Sequence, residues 1–457
     1  MIRTAMLAAA ALLFAAPATA QSVSQDELQD RYDRALAAGY KALFLCSAIF
    51  NAERNGATRS PESVMSWELT GIQQPLDQIV QDLPYETMRD SGGYLLGVSV
   101  SWTDDLAPRI ADTHAQGGCS VRPIAMSDRD AWLTATGYER DRAEWQSDLS
   151  VLAASKVVAL EESAFSNEYG ADARTTAALV ARGDEIIFEH YAEDFGPAVP
   201  QRTWSVAKSL AATIVGVAVE RGVVEVGQSA GLGVSDDDPR RAVTIDHLLR
   251  MASGRYSDTP GNSTDPIYFG GATVDERART WPLVYAPGSV WRYANNDTLM
   301  AIEALPEAER NRIPATMLWL NMPHTAVETD WQGNYVLSSQ VWSTARDLAR
   351  LGQLHLNDGV LPDGTRILPE GWVEYISNPA GPQPGGSRGW GYGAGWWLLN
   401  DSEGIPADTF MAAGNRGQYI VVVPSRDIVI VRRGEDPAGG SGFDIEAFAR
   451  DVLATLD

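Results

Sequence analysis

The chain has 457 residues, enough to bury a sizeable core in one large domain or two. Its 45% hydrophobic and 21% charged content is ordinary for a globular protein and excludes a disordered or low-complexity chain. With 60 acidic against 36 basic residues the formal charge is −24. A surface of that sign repels nucleic acid and anionic lipid, which argues against both as partners.

Taken in order, the chain opens on Met1-Ile2-Arg3, an apolar stretch from Ala8 to Phe14, and Ala18-Thr19-Ala20 before Gln21. These are the charged, apolar and small-residue parts of a secretory signal, so residues 1–20 are expected to be removed on export to the periplasm or beyond. No cysteine follows the apolar stretch, so a lipid anchor is not indicated, and no other run reads as long and apolar enough to span a bilayer. Asp26 to Leu45 carries apolar residues at helical spacing, Tyr94 to Trp102 alternates like a strand, and Arg129 to Leu160 is helical in pieces. Residues 21–165 hold no catalytic pattern and read as an N-terminal accessory region. Cys46 and Cys119 are expected to pair in an oxidising compartment, two separate buried thiols being the alternative. His114, His190, His247, His324 and His355 show neither H-E-x-x-H nor clustered spacing, so no metal site is expected.

From Thr175 the character changes. Thr176 to Ala181 and Glu185 to Tyr191 flank a turn containing Gly183 and predict a β-hairpin; His190 ends its second strand as a structural or surface residue. Leu210 to Val219 is an apolar helix with Gly222 as its C-terminal stop. Ile245 to Met251 starts a helix that runs out at Ser253-Gly254, Ala286-Pro287-Gly288 is a turn, and Ser343 or Thr344 caps a helix reaching Gly352. Gly389 to Trp397 is too irregular for a regular element and suits an aromatic pocket wall. Gln418–Val423 and Ile428–Arg433 are β-branched runs of the kind found mid-sheet, and Phe443 to Leu456 closes as an amphipathic helix. Strands at both ends with helices between predict, over 166–457, an α/β (α+β) domain whose split sheet carries a helical insertion at about 240–400, with a site in the cleft between them.

The strongest local pattern is Ser205-x-x-Lys208 at the mouth of the apolar helix. Three residues apart, the two side chains share one face of one turn, a nucleophile beside a base. A lysine accepts a serine proton only if burial or nearby positive charge lowers its pKa, and the apolar helix supplies the burial. The first turn also offers unpaired N–H groups and the positive end of the helix dipole, where an oxyanion is favoured. Lys208 is one of three lysines in the chain, with Lys41 and Lys156. The chain mostly uses arginine for surface charge, so a lysine here is no mere surface cation.

Three spaced elements, Ser205-x-x-Lys208, Tyr293-x-Asn295 and Gly414-Asn415-Arg416-Gly417-Gln418 before a strand, together resemble the serine hydrolases of the class C β-lactamase and D-alanyl-D-alanine carboxypeptidase superfamily. The flanking His247-Leu248-Leu249, Pro287-Gly288 and Arg346 to Arg350 agree. The turn looks most like the branch of 6-aminohexanoate-dimer hydrolase and carboxylesterases. The resemblance covers about residues 170–457 and implies a β-lactamase/transpeptidase-like antiparallel sheet flanked by helices. It makes Ser205 the acylated nucleophile, Lys208 its proton acceptor, Tyr293 a proton shuttle whose phenolate a nearby ammonium stabilises, and Asn295 a partner of the lysine and substrate. The N–H groups of Ser205 and Asn415 would form the oxyanion hole. Penicillin-processing members carry Lys or His, Thr and Gly where this chain has Ala412-Ala413-Gly414. The cation that would hold a β-lactam carboxylate is therefore missing. Arg416 is read either as its substitute or as a solvated turn residue. Ester or linear-amide hydrolysis of a small molecule, without a cofactor, thus ranks ahead of β-lactam or peptidoglycan cleavage, and a catalytically silent binding protein is the alternative of another class. The oligomeric state is not legible.

Overall fold

The computed structural model describes residues 22–126, 151–256, 264–386 and 388–457. The leader and the helical pattern over 129–150 lie outside the described residues.

Ser24 starts the helix Gln25–Arg54 with a capping box, its hydroxyl accepting from Glu27 N–H while the Glu27 carboxylate accepts from Ser24 N–H. From Ala35 to Ala52 every residue of this helix is buried. It is long and apolar enough to cross a bilayer, with mean hydropathy 1.4 over an 18-residue window, although the sequence reading found no such run beyond the leader. The difference has a packing cause: the helix is apolar on all sides because it is enclosed on all sides. One side meets a four-stranded antiparallel sheet, β1 (Tyr85–Arg89), β2 (Leu95–Val100), β3 (Arg109–Thr113) and β4 (Cys119–Val121), in that order. On another side Phe44 meets Trp342 edge-on at 5.8 Å and Tyr40 lies 4.4 Å from Phe269. The Cys46–Cys119 disulfide ties the helix to β4. Buried Glu328 accepts from Ser47 Oγ and Cys119 N–H, so the N-terminal region shares one core with the rest of the described chain.

The hairpin β5 (Thr175–Arg182) and β6 (Glu185–Tyr191) follows. Short strands β7 (Gln201–Arg202), β8 (Ala326–Val327) and β9 (Val341–Ser343) make a small sheet in the order β7-β9-β8. β10 (Gly391–Tyr392), β11 (Trp397–Leu398), β12 (Phe410–Gly414), β13 (Gln418–Val423) and β14 (Ile428–Gly434) complete the main sheet, seven antiparallel strands in the order β10-β11-β12-β13-β14-β5-β6. Segments from opposite ends of this region thus pair across β14 and β5.

Side-chain alternation explains the β-branched runs. Ile420, Val422, Val429 and Val431 face the core shared with the helices Val206–Glu220 and Ala345–Leu356, whereas Val421, Val423, Ile428 and Ile430 face one shared with Ala154–Phe165 and Ile445–Leu456. A strand covered on both faces needs apolar residues at every position. Gly389 to Trp397 contains β10 and the start of β11 rather than purely irregular chain; these are two-residue strands, β10 at the sheet edge, too short for any period to show. Between β6 and β10 the described chain is mostly short helices and turns. Gly222, at φ 68°, ends the Val206–Glu220 helix, and Thr344 caps Ala345–Leu356 by accepting from Asp347 N–H.

Because the disulfide closes a 73-residue separation onto a buried helix, Cys46→Ser with Cys119→Ser is expected to cost about 2–5 kcal/mol, read as a lower urea midpoint relative to the oxidised protein.

Candidate active site

Three backbone features bring the candidate groups together. Trp204, at φ 49°, takes the left-handed conformation that non-glycine residues avoid, and this bend delivers Ser205 to the start of the helix Val206–Glu220. Ser205 makes no side-chain cap bond, so its hydroxyl is directed elsewhere. At the end of β12, a Cβ placed on Gly414 would lie 2.5 Å from Thr203 O and 3.1 Å from Ser205 N; only glycine permits this approach of sheet to nucleophile. The helix Asn295–Glu303 packs against the Ser205 helix and presents Asn295 from its first turn.

Lys208 Nζ lies 3.0 Å from Ser205 Oγ, 2.6 Å from Asn295 Oδ1 and 3.0 Å from Ser338 O. It is 2% exposed, and burial pushes its pKa down to about 7. Much of this amine is therefore unprotonated near neutral pH. Tyr293 is half-buried and hydrogen-bonded to Ser205, with Lys208 Nζ 4.7 Å from its ring centroid. Desolvation raises the phenol well above its usual range. The sequence reading expected an ammonium to stabilise a Tyr293 phenolate; in the structure burial disfavours charge on both groups and leaves an amine of lowered basicity beside a protonated phenol.

Further groups had no signal in the sequence. Thr264 Oγ1 accepts from Asn295 Nδ2 at 2.9 Å, and Tyr268 shares a 2.7 Å hydrogen bond with Ser338 Oγ. These residues fix the two acceptors that hold Lys208. Ser205, Tyr293, Asn295, Gly414 and Asn415 line one cavity of about 390 Å³. Trp204, Tyr268, Trp390, Trp397 and Tyr419 supply its aromatic surface, as expected of the Gly389–Trp397 segment, and Gln73 joins it from the N-terminal region. The N-terminal region is thus not merely accessory: it forms part of the site.

The structure assigns Arg416 to neither expected role. At φ 58° and 4% exposed, its guanidinium turns into the protein and donates to the carbonyls of Glu68 (2.6 Å), Thr70 (2.6 Å), Trp67 (3.2 Å), Asp436 (3.1 Å) and Glu435 (3.2 Å). It also pairs with the buried Glu435 carboxylate at 3.2 Å. Arg416 is a strut joining the turn after β12 to residues 67–70. Gly417, at φ 79°, is packed on Arg432 and Asp436 and does not line the cavity. His190 lies 3.4 Å from Glu161 and meets Phe165 edge-on, and it does not line the nucleophile's cavity. Among the described residues no group of His, Cys, Asp and Glu could hold a metal ion.

Comparison with known proteins follows the same outline. The family described as Beta-lactamase matches residues 163–433, more than half of the chain. A 6-aminohexanoate-dimer hydrolase of Paenarthrobacter ureafaciens is 26% identical over 293 residues, 56% of this chain and 72% of that protein. Penicillin-binding protein 4 of Amycolatopsis lactamdurans is 27% identical over 275 residues, 49% of this chain and 69% of that protein. The solved structure of a Bacillus anthracis protein described as a 6-aminohexanoate-dimer hydrolase has a TM-score of 0.53 at 22% identity and covers 63% of this chain and 79% of that one; it shows the shared fold.

If Arg416 is a buried strut, Arg416→Met leaves Glu435 buried without its cation and should cost about 3–5 kcal/mol in urea unfolding. A solvated turn arginine would change stability by less than about 0.5 kcal/mol.

Proposed function

The chain belongs to the Beta-lactamase family, and from that premise we propose that it is an exported serine hydrolase that cleaves ester or linear amide bonds through an acyl-enzyme on Ser205. The observation that carries this reading is the buried Lys208 amine 3.0 Å from Ser205 Oγ. With its pKa down to about 7, the amine takes the Ser205 proton as Oγ attacks the substrate carbonyl. The oxyanion is received by the N–H groups of Ser205 and Asn415, a contribution of about 3 kcal/mol per donor in comparable sites. Tyr293, protonated and hydrogen-bonded to Ser205, gives its proton to the leaving group and regains one from the Lys208 ammonium. Water then attacks the acyl carbonyl, its proton returning through the same pair, and Ser205 is regenerated.

Ester or linear-amide cleavage ranks first because Ala412 and Ala413 stand where a carboxylate-binding Lys or His and Thr would be needed, and because Arg416, the substitute the sequence offered, is buried. Export is supported by the leader-like sequence at residues 1–20 and by the Cys46–Cys119 disulfide, which persists in oxidising compartments. A penicillin-interactive enzyme is the second reading, favoured by the similarity to the Amycolatopsis penicillin-binding protein.

Ser205→Ala is expected to lower hydrolysis of p-nitrophenyl butyrate by at least about 10³-fold with an unchanged circular dichroism spectrum. Wild-type turnover in that variant contradicts the reading. Failure of a fluorophosphonate to label Ser205 in the wild type favours a silent binding protein, and lasting label from a fluorescent penicillin favours the second reading.

A further inference from the structure

Arg202 has no part in the steps above, yet its side chain touches the segments that carry both Ser205 and a partner of Lys208. It ends β7, three residues before Ser205, where it pairs with Trp342 of β9 and the next N–H, that of Thr203, donates to Val341 O at 2.8 Å. It is 1% exposed, a charge taken out of water. Among the described residues it makes no ion pair; Glu328 and the cavity residue Asp265 act on it only as more distant charges. A buried cation without a counter-ion is costly unless another group stabilises it.

Four rings take that role. The guanidinium lies 4.1 Å from the Trp204 ring centroid, 4.9 Å from that of Phe44 and 5.4 Å from those of Tyr268 and Phe269. At these distances an aromatic ring attracts a cation, and a planar guanidinium stacks where an ammonium does not. Nη2 donates to Ser339 Oγ at 2.9 Å and Nε to Ser339 O at 3.5 Å, while Nη1 has no hydrogen-bond partner among the described residues.

Two of these contacts reach the site. Trp204 makes the left-handed bend, at φ 49°, that delivers Ser205, and such a conformation persists only where its surroundings over-determine it. The ring against Arg202 is that residue's own side chain, so the cation–π contact opposes relaxation of the bend. On the other side Ser339 follows Ser338, whose carbonyl oxygen accepts from Lys208 Nζ at 3.0 Å, and Tyr268 of the cage bonds Ser338 Oγ at 2.7 Å. One side chain therefore bridges the segment that presents the nucleophile and the segment that holds its base. Trp204 and Ser339 line the nucleophile's cavity and Arg202 does not, so Arg202 acts through them.

We propose that Arg202, caged by Phe44, Trp204, Tyr268 and Phe269, is a positioning residue that fixes the spacing between Ser205 and Lys208. This rests on the hydrolase reading of Ser205. It also gives the N-terminal region a task in that reading, because Phe44 belongs to the helix Gln25–Arg54, outside the segment matched by the family.

The test measures p-nitrophenyl butyrate hydrolysis by Arg202→Met and Arg202→Lys, each normalised to the folded fraction by circular dichroism. Misplacing a reacting group costs rate more than binding, so kcat should fall about 10²-fold in Arg202→Met while KM changes by less than about threefold. Arg202→Lys, which keeps the charge but not the plane, should recover little of the loss. Wild-type kcat in both variants, with only the urea midpoint lowered, is a role confined to stability and overturns the proposal. Should Arg202→Met fail to fold, Phe44→Leu removes one ring of the cage without touching the cavity. A severalfold lower kcat at constant KM in Phe44→Leu upholds the proposal, and an unaltered kcat overturns it. A second readout does not need turnover: the Lys208 ¹³Cε titration midpoint, near pH 7 in the wild type, should rise by about one unit or more in folded Arg202→Met or Phe44→Leu as water reaches the amine. A raised midpoint without any Ser205-dependent hydrolysis in the wild type upholds the positioning and rejects the hydrolase reading. Wild-type hydrolysis with kcat and midpoint both unaltered in the variants rejects the positioning alone.

Discussion

The structure around the nucleophile depends on one constraint: an amine is kept out of water and given only neutral oxygen partners. Lys208 is surrounded by a serine hydroxyl, an asparagine carbonyl and a backbone carbonyl, and among the described residues no carboxylate lies against it to restore its ordinary basicity. Desolvation disfavours the ammonium, and nothing in that set compensates it as an acid would. The same burial, acting on Tyr293, holds a phenol in its protonated form. One environment therefore leaves an amine of lowered basicity and a protonated phenol together beside Ser205. The proposed chemistry is the use of that separation.

The scaffold maintains this environment from three directions. The apolar helix Val206–Glu220 carries serine and lysine one turn apart, the close approach of Gly414 sets the end of β12 against the serine, and Asn295 reaches the amine from a neighbouring helix. The fourth contribution comes from outside the segment matched by the family. Residues 67–70 supply the carbonyls that hold Arg416, and Arg416 occupies the turn that follows Gly414 and Asn415. The N-terminal region is thus tied to the turn beside the cavity, and Gln73 adds a side chain to the cavity itself.

What was legible in the sequence follows from how local each feature is. Ser205 and Lys208 share a turn, Tyr293 and Asn295 lie at a helix entrance, and the glycine-rich turn precedes a strand, so the juxtaposition in space has short-range marks. The mid-sheet strands were legible because two covered faces demand unbroken β-branched runs, as in β13 and β14. The buried helix Gln25–Arg54 was recognised only as far as Leu45, because a helix enclosed on all sides loses the period that marks its length. Arg416 was misread since its partners lie some 350 positions away in sequence, and a turn arginine looks solvated until the chain folded over it is known. Gln73, Asp265 and the Thr264–Asn295 contact had no pattern for the same reason.

The most direct measurement of the central claim is the titration of lysine ¹³Cε chemical shifts by NMR. With three lysines in the chain, the spectrum is sparse. Lys41, which burial lowers to about 8 and which donates to Gln81 O and Leu83 O, can be assigned by Lys41→Arg. The account requires the Lys208 resonance to titrate near pH 7. A Lys208 amine that stays protonated to about pH 10, the ordinary value for lysine, would contradict it.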